Sequence, residues 1–158
     1  MIRRLYSKDA RIVYEVVNKA ARAYQGVIPV DCYHDPYMPR EELRREMASM
    51  TFFGWNEGRR IAGVIGFQPV QDVTLVRHAY VLPDYQRKGI GTKLLDHVKL
   101  ITKTRYLLVG TWADASWAIQ FYRKHGFELM PAKDELLKKY WDVPQRQIET
   151  SVVLGIEM

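Results

Sequence analysis

At 158 residues, the chain is long enough to bury a hydrophobic core, and we expect one domain over residues 1–158. Its 47% hydrophobic residues exclude a disordered chain, and no apolar run approaches the roughly 18 residues that a membrane span needs. One cysteine, Cys32, excludes an internal disulfide framework and, with no apolar segment behind the N-terminal charges, predicts a cytoplasmic protein. The net charge of +6 would attract phosphorylated ligands, but the basic residues are scattered, which favours a solvated surface over a nucleic-acid interface.

Hydrophobic periodicity in the first half predicts one strand, two helices and then three antiparallel strands. Ser7 is the expected N-cap of the first helix, and prolines predict an irregular loop over residues 26–40. Gly63 and Gly66, inside a strand, indicate a bulge or a close backbone approach. The predicted elements are a strand at Ile2–Tyr6, a helix at 8–24, a helix beginning near Glu41, and strands at Thr51–Trp55, Arg60–Val70 and Thr74–Leu82.

The segment Val76–His97 combines a strand, a glycine-rich basic loop and the start of a helix. Unpaired backbone N–H groups and the helix dipole favour an anion at such a helix start. Gly89 and Gly91 allow a ligand to approach the backbone, and Arg87 and Lys88 add positive charge. The segment lacks the Gly-Lys-Ser/Thr ending of a P-loop and the third glycine of a dinucleotide fingerprint. It therefore predicts a phosphate-binding loop of another type.

The second half continues with alternating helices and strands, so the whole chain belongs to a mixed α/β class. Because the last strand ends the chain, it is a candidate sheet edge, which would allow a homodimer. The predicted elements are a helix at Thr92–Lys103, a buried strand at Tyr106–Val109, a helix at Ala113–Lys124, a strand at Phe127–Met130, a helix at Pro131–Trp141 and a strand at Gln147–Ile156.

Two motifs resemble the GNAT superfamily of acyl-CoA-dependent N-acyltransferases. The pyrophosphate loop of that family has Gln or Arg, two residues, Gly, one residue, then Gly or Ala, and Gln86, Gly89 and Gly91 fill this pattern. The second motif is a helix and turn of the form A-x-x-F/L-Y-x-x-x-G-F, matched by Ala118, Phe121, Tyr122, Gly126 and Phe127. The resemblance implies a GNAT-like α/β fold, with a mostly antiparallel central sheet splayed between two strands and helices on both faces. It also implies acetyl-CoA as the cofactor.

The same resemblance assigns cofactor-binding residues. Backbone groups at the end of the third meander strand would pair with the pantetheine arm, and the loop would surround the pyrophosphate. The residues expected to bind the cofactor are Tyr80, Val81, Leu82, Gln86, Arg87, Lys88, Gly89, Ile90, Gly91 and Thr92. One position departs from the family, since many members carry an asparagine where this chain has Ala115, and Asp114 or Ser116 would have to substitute for it.

Tyr122 is the expected general acid, because the tyrosine of this motif often lies near the thioester sulfur in the family. The departing thiolate has a conjugate-acid pKa of about 8.5, and a phenol with a pKa near 10 can give it a proton or a hydrogen bond. The alternative is that Tyr122 is one member of an aromatic helix stripe.

His78 is the expected general base, with Tyr80 and Asp72 as weaker candidates, because an imidazole titrates near neutral pH. Strand alternation places His78, Tyr80 and Leu82 on one face, but it does not show which face meets the substrate. A packed or surface histidine is the alternative.

The loop over residues 26–40 is the expected acceptor site, together with residues 131–145. Its carboxylates and aromatic rings would hold a cationic amine by charge and cation–π contact. The substrate-binding candidates are Asp31, Tyr33, Asp35 and Tyr37, with simple loop packing as the alternative. Cys32 is expected to be inert, and the spacing of the histidines indicates no metal site.

The sequence thus predicts an acetyl-CoA-dependent N-acetyltransferase, in which a primary amine attacks the thioester directly in a ternary complex. The acceptor would be a small molecule or a peptide amine. Two alternatives stay open at this point: an acyltransferase that acts on a protein or aminoacyl-tRNA amine, and a non-catalytic CoA-binding sensor or scaffold.

Overall fold

The computed structural model describes residues 1–158, and the chain divides into two compact units. The first unit comprises Met1–Ala23, His34–Gln68 and Val76–Ile101. The second comprises Tyr24–Tyr33, Pro69–Leu75 and Thr102–Met158. The expectation of one domain over the whole chain stays a prediction.

The first unit holds the meander and the helices that precede and follow it. Its strands run in the order β1-β2-β3-β4, with β1 antiparallel to β2 and β2 antiparallel to β3. Residues 69–75, where β3 ends and β4 begins, belong to the second unit. The elements are β1 (Ile2–Leu5), α1 (Ala10–Ala20), α2 (Arg40–Ser49), β2 (Thr51–Glu57), β3 (Arg60–Val70), β4 (Val73–Val81) and α3 (Ile90–Ile101).

Helix α1 forms because its apolar residues recur at helical spacing and can all be buried on one face. That face joins a core shared with α2, with Phe52 on β2 and with Leu82, which directly follows β4. The expected N-cap was wrong, since Ser7 begins a 3-10 turn and makes no side-chain cap. Asp9 instead accepts a hydrogen bond from the Tyr6 backbone N–H at 2.9 Å. The buried residues of α1 are Val13, Val16, Val17 and Ala20.

Gly63 and Gly66 allow close packing in β3, as the sequence predicts. A Cβ on Gly63 would lie 3.0 Å from the Ile90 side chain, and one on Gly66 would lie 3.0 Å from the Arg77 carbonyl oxygen. The pairing register also shifts at Trp55/Asn56, opposite the first of these glycines. The lack of a side chain at both glycines therefore lets β3 pack closely against its neighbours.

The second unit places its strands in the order β5-β7-β6, and both pairings are antiparallel. The last strand therefore lies between two others, and the prediction of a sheet edge there is wrong. The homodimer loses that support and stays a prediction. The elements are β5 (Tyr106–Trp112), α4 (Ser116–Lys124), β6 (Glu128–Leu129), α5 (Lys133–Tyr140), α6 (Gln145–Glu149) and β7 (Ser151–Glu157).

The seven mostly antiparallel strands and six α helices confirm the mixed α/β class. The sequence placed the last strand at Gln147–Ile156, but Pro144 precedes a short helix, so residues 147–149 are helical. None of the helices has the length and apolar character that crossing a membrane would require.

Candidate active site

The glycine-rich loop joins β4 to α3 through a 3-10 turn at Pro83–Tyr85. Arg87 and Gly89 both have positive φ, at 63° and 79°, and the Gly89 carbonyl accepts the first helical hydrogen bond from the Lys93 N–H at 3.0 Å. Residues 86–89 are exposed, and a Cβ on Gly89 would meet nothing within 4 Å. The loop thus presents the start of a three-turn helix to open space, which is the arrangement that binds an anion.

Gln86 ties this loop to the end of β4. Its side-chain amide donates to the Val81 carbonyl at 3.1 Å, and the Leu82 N–H donates to the Ala62 carbonyl at 2.8 Å. Two of the backbone groups that the family resemblance reserves for a pantetheine arm are therefore already bonded within the protein. The structure gives Gln86 a role in positioning the loop that the motif alone does not reveal.

Cations surround Tyr85 at the base of the loop. The Lys88 ammonium lies 5.4 Å and the Arg60 guanidinium 5.9 Å from the centre of its ring. Both distances fall in the range of cation–π contacts, which restrict the two side chains while leaving their charge exposed. Two positive charges therefore lie beside the loop, where they would attract a phosphate-bearing ligand.

Strand β4 is irregular at His78, whose φ is 52°. Regular alternation would send the side chains of Arg77 and His78 to opposite faces. Here both reach the same carboxylate oxygen, Oε1 of Glu46 on α2, each at 3.2 Å. We call Glu46, Arg77 and His78 the α2–β4 cluster.

The rest of the surroundings hold this cluster in place. The His78 ring stacks on Phe52, with centroids 5.9 Å apart and planes 9° from parallel. The Arg77 guanidinium donates to the Gln68 side-chain oxygen at 3.2 Å, and the Gln68 amide donates to the Ser49 carbonyl at 3.3 Å. The cluster is half-buried, with 13% of the His78 side chain exposed.

Glu46 remains charged in this position. Burial alone would raise the pKa of its carboxyl, but the hydrogen bond from His78 and the charges of His78, Arg77 and Arg45 outweigh burial and lower that pKa. Sequence reasoning missed this residue. A signal was present, because Glu46 falls on the same helical face as Leu43, Met47 and Met50, where a charge needs a partner.

The two weaker base candidates differ in their surroundings. Tyr80 packs against the core of the first unit, with its ring 6.4 Å from that of Tyr37 in an edge-to-face contact. Asp72 lies in the second unit and accepts a hydrogen bond from the Tyr140 hydroxyl at 2.7 Å. That hydrogen bond lowers the pKa of Asp72, which makes it a weaker base.

Tyr122 lies in the last turn of α4, in the second unit, and its side chain is buried. Phe121 and Phe127 pack against its ring with centroids 5.2 and 5.4 Å away, and the Phe127 N–H donates to the Tyr122 carbonyl at 3.0 Å. Burial is the main cause that raises the pKa of Tyr122 well above its usual value, and the Tyr24 hydroxyl raises it further. The phenol therefore keeps its proton and can donate a hydrogen bond, but the raised pKa makes it a weaker general acid toward a departing thiolate.

Ala115 precedes this helix and is fully buried. Its side chain cannot make the polar contact that an asparagine gives in many family members. Asp114 and Ser116 on either side of it are exposed.

The four substrate-binding candidates divide between the units, Asp31 and Tyr33 in the second and Asp35 and Tyr37 in the first. The Arg146 guanidinium donates to the Asp31 carboxylate at 2.8 Å, so this carboxylate already has a cationic partner. Tyr37 contacts Tyr80, one of the residues expected to bind the cofactor.

Cys32 lies beside Asp31. Burial, followed by the Asp31 charge, raises the pKa of its thiol, which disfavours the thiolate that an acyl-cysteine intermediate would need.

A family model described as acetyltransferase (GNAT) domain matches residues 48–129, more than half of the chain. The protein belongs to the GNAT acetyltransferase family. The match contains the loop, His78 and Tyr122, and it confirms both the resemblance drawn from the sequence and the expectation of an acyltransferase.

Solved structures show how widely the GNAT fold of this acetyltransferase is shared. The PaiA N-acetyltransferase from Thermoplasma acidophilum, in complex with coenzyme A, is 19% identical with a TM-score of 0.77, over 100% of this chain and 98% of that one. A GNAT acetyltransferase from Elizabethkingia anophelis with acetyl-CoA bound is 22% identical with a TM-score of 0.71, over 100% and 97%. The ribosomal-protein-S18-alanine N-acetyltransferase from Escherichia coli is 18% identical with a TM-score of 0.71, over 99% and 92%.

Proposed function

We propose that this acetyltransferase transfers an acetyl group from acetyl-CoA to a primary amine by direct attack in a ternary complex. The observation that carries the proposal is the exposed loop of residues 86–89, which leads into the first turn of α3 through a positive-φ glycine. The complexes of two structural neighbours with coenzyme A and acetyl-CoA support the choice of cofactor.

The loop fits the diphosphate of coenzyme A. The first-turn N–H groups of α3 would bind its oxygens, and Arg87 and Lys88 would neutralise its charge. Gly89 leaves open space where a side chain would otherwise stand. Bound acetyl-CoA supplies an activated acetyl group as a thioester, and the remaining steps fall to residues of the chain.

His78 would remove the proton from the attacking amine. An amine is a nucleophile only when deprotonated, and an imidazole is poised to accept that proton near neutral pH. Its half-buried position and its fixed ring suit this role. Tyr122 would donate a hydrogen bond to the departing sulfur, since its raised pKa keeps the phenol protonated.

The acceptor would be a small-molecule or peptide amine. Tyr37 and Asp35 would contribute to its binding, and Tyr33 and Asp31 are further candidates. A peptide amine gains support from the Escherichia coli neighbour, which acts on the alanine of a ribosomal protein. The single cysteine suits a reducing compartment, which supports a cytoplasmic location.

The test has two parts. Thermal unfolding should be followed with acetyl-CoA, free coenzyme A or ATP, all at one concentration that is about 100 times the dissociation constant of acetyl-CoA, where bound acetyl-CoA adds roughly 2.7 kcal/mol to the free energy of unfolding. We expect both CoA species to raise the melting temperature by several degrees and ATP to do so far less.

Turnover should then be measured as release of the coenzyme A thiol with a diamine, an amino acid amide and a peptide that begins with alanine. Release that depends on one of these amines supports the proposal. No melting shift with acetyl-CoA, or no release with any amine above the hydrolysis rate, would contradict it.

A further inference from the structure

The contact between His78 and Glu46 determines which imidazole nitrogen is free. Nε2 of His78 lies 3.2 Å from the Glu46 carboxylate oxygen. An ionised carboxylate only accepts hydrogen bonds, so Nε2 must be the donor. A neutral His78 then carries its proton on Nε2, and Nδ1 is the nitrogen able to accept one.

Glu46 is itself held from the other side. Arg77 donates to the same oxygen and also to Gln68, whose amide donates to Ser49. With the His78 ring stacked on Phe52, neither the carboxylate nor the imidazole is free to rotate. Arg77 on β4, supported by Gln68 on β3, thus holds the Glu46 carboxylate, and this carboxylate holds the His78 ring.

The charges around His78 oppose each other. Glu46 on α2 pairs with both His78 and Arg77 of β4, and Arg45 on α2 also acts on the Glu46 carboxyl. Phe52 on β2 and Gln68 on β3 bring no charge. Removing the Glu46 charge would leave Arg77 without its carboxylate partner next to the imidazole.

We propose that Glu46 is a positioning residue for amine deprotonation, because it holds His78 with the proton on Nε2 and leaves Nδ1 as the nitrogen that accepts a proton. The inference rests on the proposed role of His78 as the base. In the step itself, Nδ1 takes a proton from the acceptor ammonium and the nitrogen lone pair becomes available. The imidazolium that forms is stabilised by the carboxylate at Nε2.

The test compares Glu46→Gln with Glu41→Gln, which removes the same charge from an exposed position on the same helix. Glutamine keeps an acceptor oxygen for Nε2 and loses only the charge. Ring nitrogen shifts of the histidines are followed by NMR across pH in the whole chain, with His78→Asn to assign the signal. We expect neutral His78 to be protonated at Nε2 in the wild type and in Glu41→Gln, and the Nε2 and Nδ1 tautomers to become more evenly populated in Glu46→Gln.

Kinetics provide the second readout, with acetyl-CoA and whichever amine of the panel reacts fastest. The acidic limb of kcat/KM should move to lower pH in Glu46→Gln, with an unchanged KM for acetyl-CoA. A carboxylate that only ties α2 to β4 would lower the melting temperature and leave this limb in place.

The outcomes separate the two claims. If His78→Asn keeps the wild-type rate and pH profile, the base assignment in the proposed function fails. If His78→Asn loses the rate while Glu46→Gln behaves like Glu41→Gln, or if NMR places the proton of neutral His78 on Nδ1, the role of Glu46 alone is overturned.

Discussion

The loop of residues 86–89, with the first turn of α3 that follows it, and the α2–β4 cluster are built in opposite ways. The loop is exposed and offers backbone N–H groups, with residues that are neighbours in the sequence. The cluster is half-buried and joins side chains 32 positions apart, Glu46 and His78. The loop therefore suits a ligand group that is the same in every reaction, whereas the cluster suits a proton transfer that depends on one exact arrangement of side chains.

This contrast predicts that the loop and the cluster have separate roles, in acetyl-CoA binding and in turnover. Changes in the loop should weaken the binding of acetyl-CoA and leave the pH dependence of turnover unaltered. Changes in the cluster should alter turnover and its pH dependence at unchanged acetyl-CoA affinity.

His78→Asn should have the largest effect. Loss of a general base typically lowers turnover by about 100-fold or more. We expect the acidic limb of the pH profile to disappear as well. Steady-state kinetics between pH 6 and 9 measure the turnover and its acidic limb. A full rate at neutral pH would contradict a catalytic role for the α2–β4 cluster.

Gly91→Val should produce the largest change in binding. Gly91 lies in the first turn of α3 and does not have positive φ, so valine is compatible with the backbone there. We expect its side chain to obstruct the diphosphate and to weaken acetyl-CoA binding at least about tenfold. Asp96→Val, on the exposed side of the same helix, is the control. Gly89 is a poorer choice, since its φ of 79° would strain any other residue.

Tyr122→Phe should lower turnover about tenfold with acetyl-CoA affinity intact. Because burial raises the pKa of this phenol above its usual value, it stays protonated through the neutral range. The variant should therefore keep the wild-type pH profile between pH 6 and 9, unlike His78→Asn. A lost basic limb would show that Tyr122 titrates within this range.

The double variant Arg87→Ala/Lys88→Ala should weaken acetyl-CoA binding by a few fold, and the effect should shrink as salt is added, because exposed charges are screened. Lys8→Ala/Arg11→Ala removes the same charge from exposed positions elsewhere. Equal losses in the two double variants would mean that general charge, and not the loop, attracts the ligand.

Gln86→Ala should have the smallest effect, about two- to threefold in acetyl-CoA affinity, because it removes one exposed hydrogen bond to the Val81 carbonyl. Hydrogen exchange of the loop amides should become faster. Unchanged exchange would show that the loop does not need this contact.

The same contrast explains what the sequence predicts well. The loop and the Tyr122 helix are local patterns, so their residues alone indicate their elements and their family. The cluster depends on the positive φ of His78 and on the approach of α2, and neither is encoded in a short segment. Strand alternation placed His78, Tyr80 and Leu82 on one face. In the structure Tyr80 and Leu82 pack in the core that contains Phe52, and the His78 ring stacks on Phe52.

The errors have a similar origin. The last strand was expected at an edge because it ends the chain, but strand order depends on contacts between distant segments. Asp31 has the charge to hold an amine, yet Arg146, 115 positions away, already pairs with it. Glu46 was overlooked because its partners follow much later in the chain.

The most direct test of these separate roles is the dissociation constant of acetyl-CoA, measured by calorimetry for the wild type, Gly91→Val and His78→Asn. We predict a value for His78→Asn within about twofold of the wild type and one for Gly91→Val at least about tenfold weaker. Wild-type affinity in Gly91→Val, or a matching loss in His78→Asn, would contradict the account.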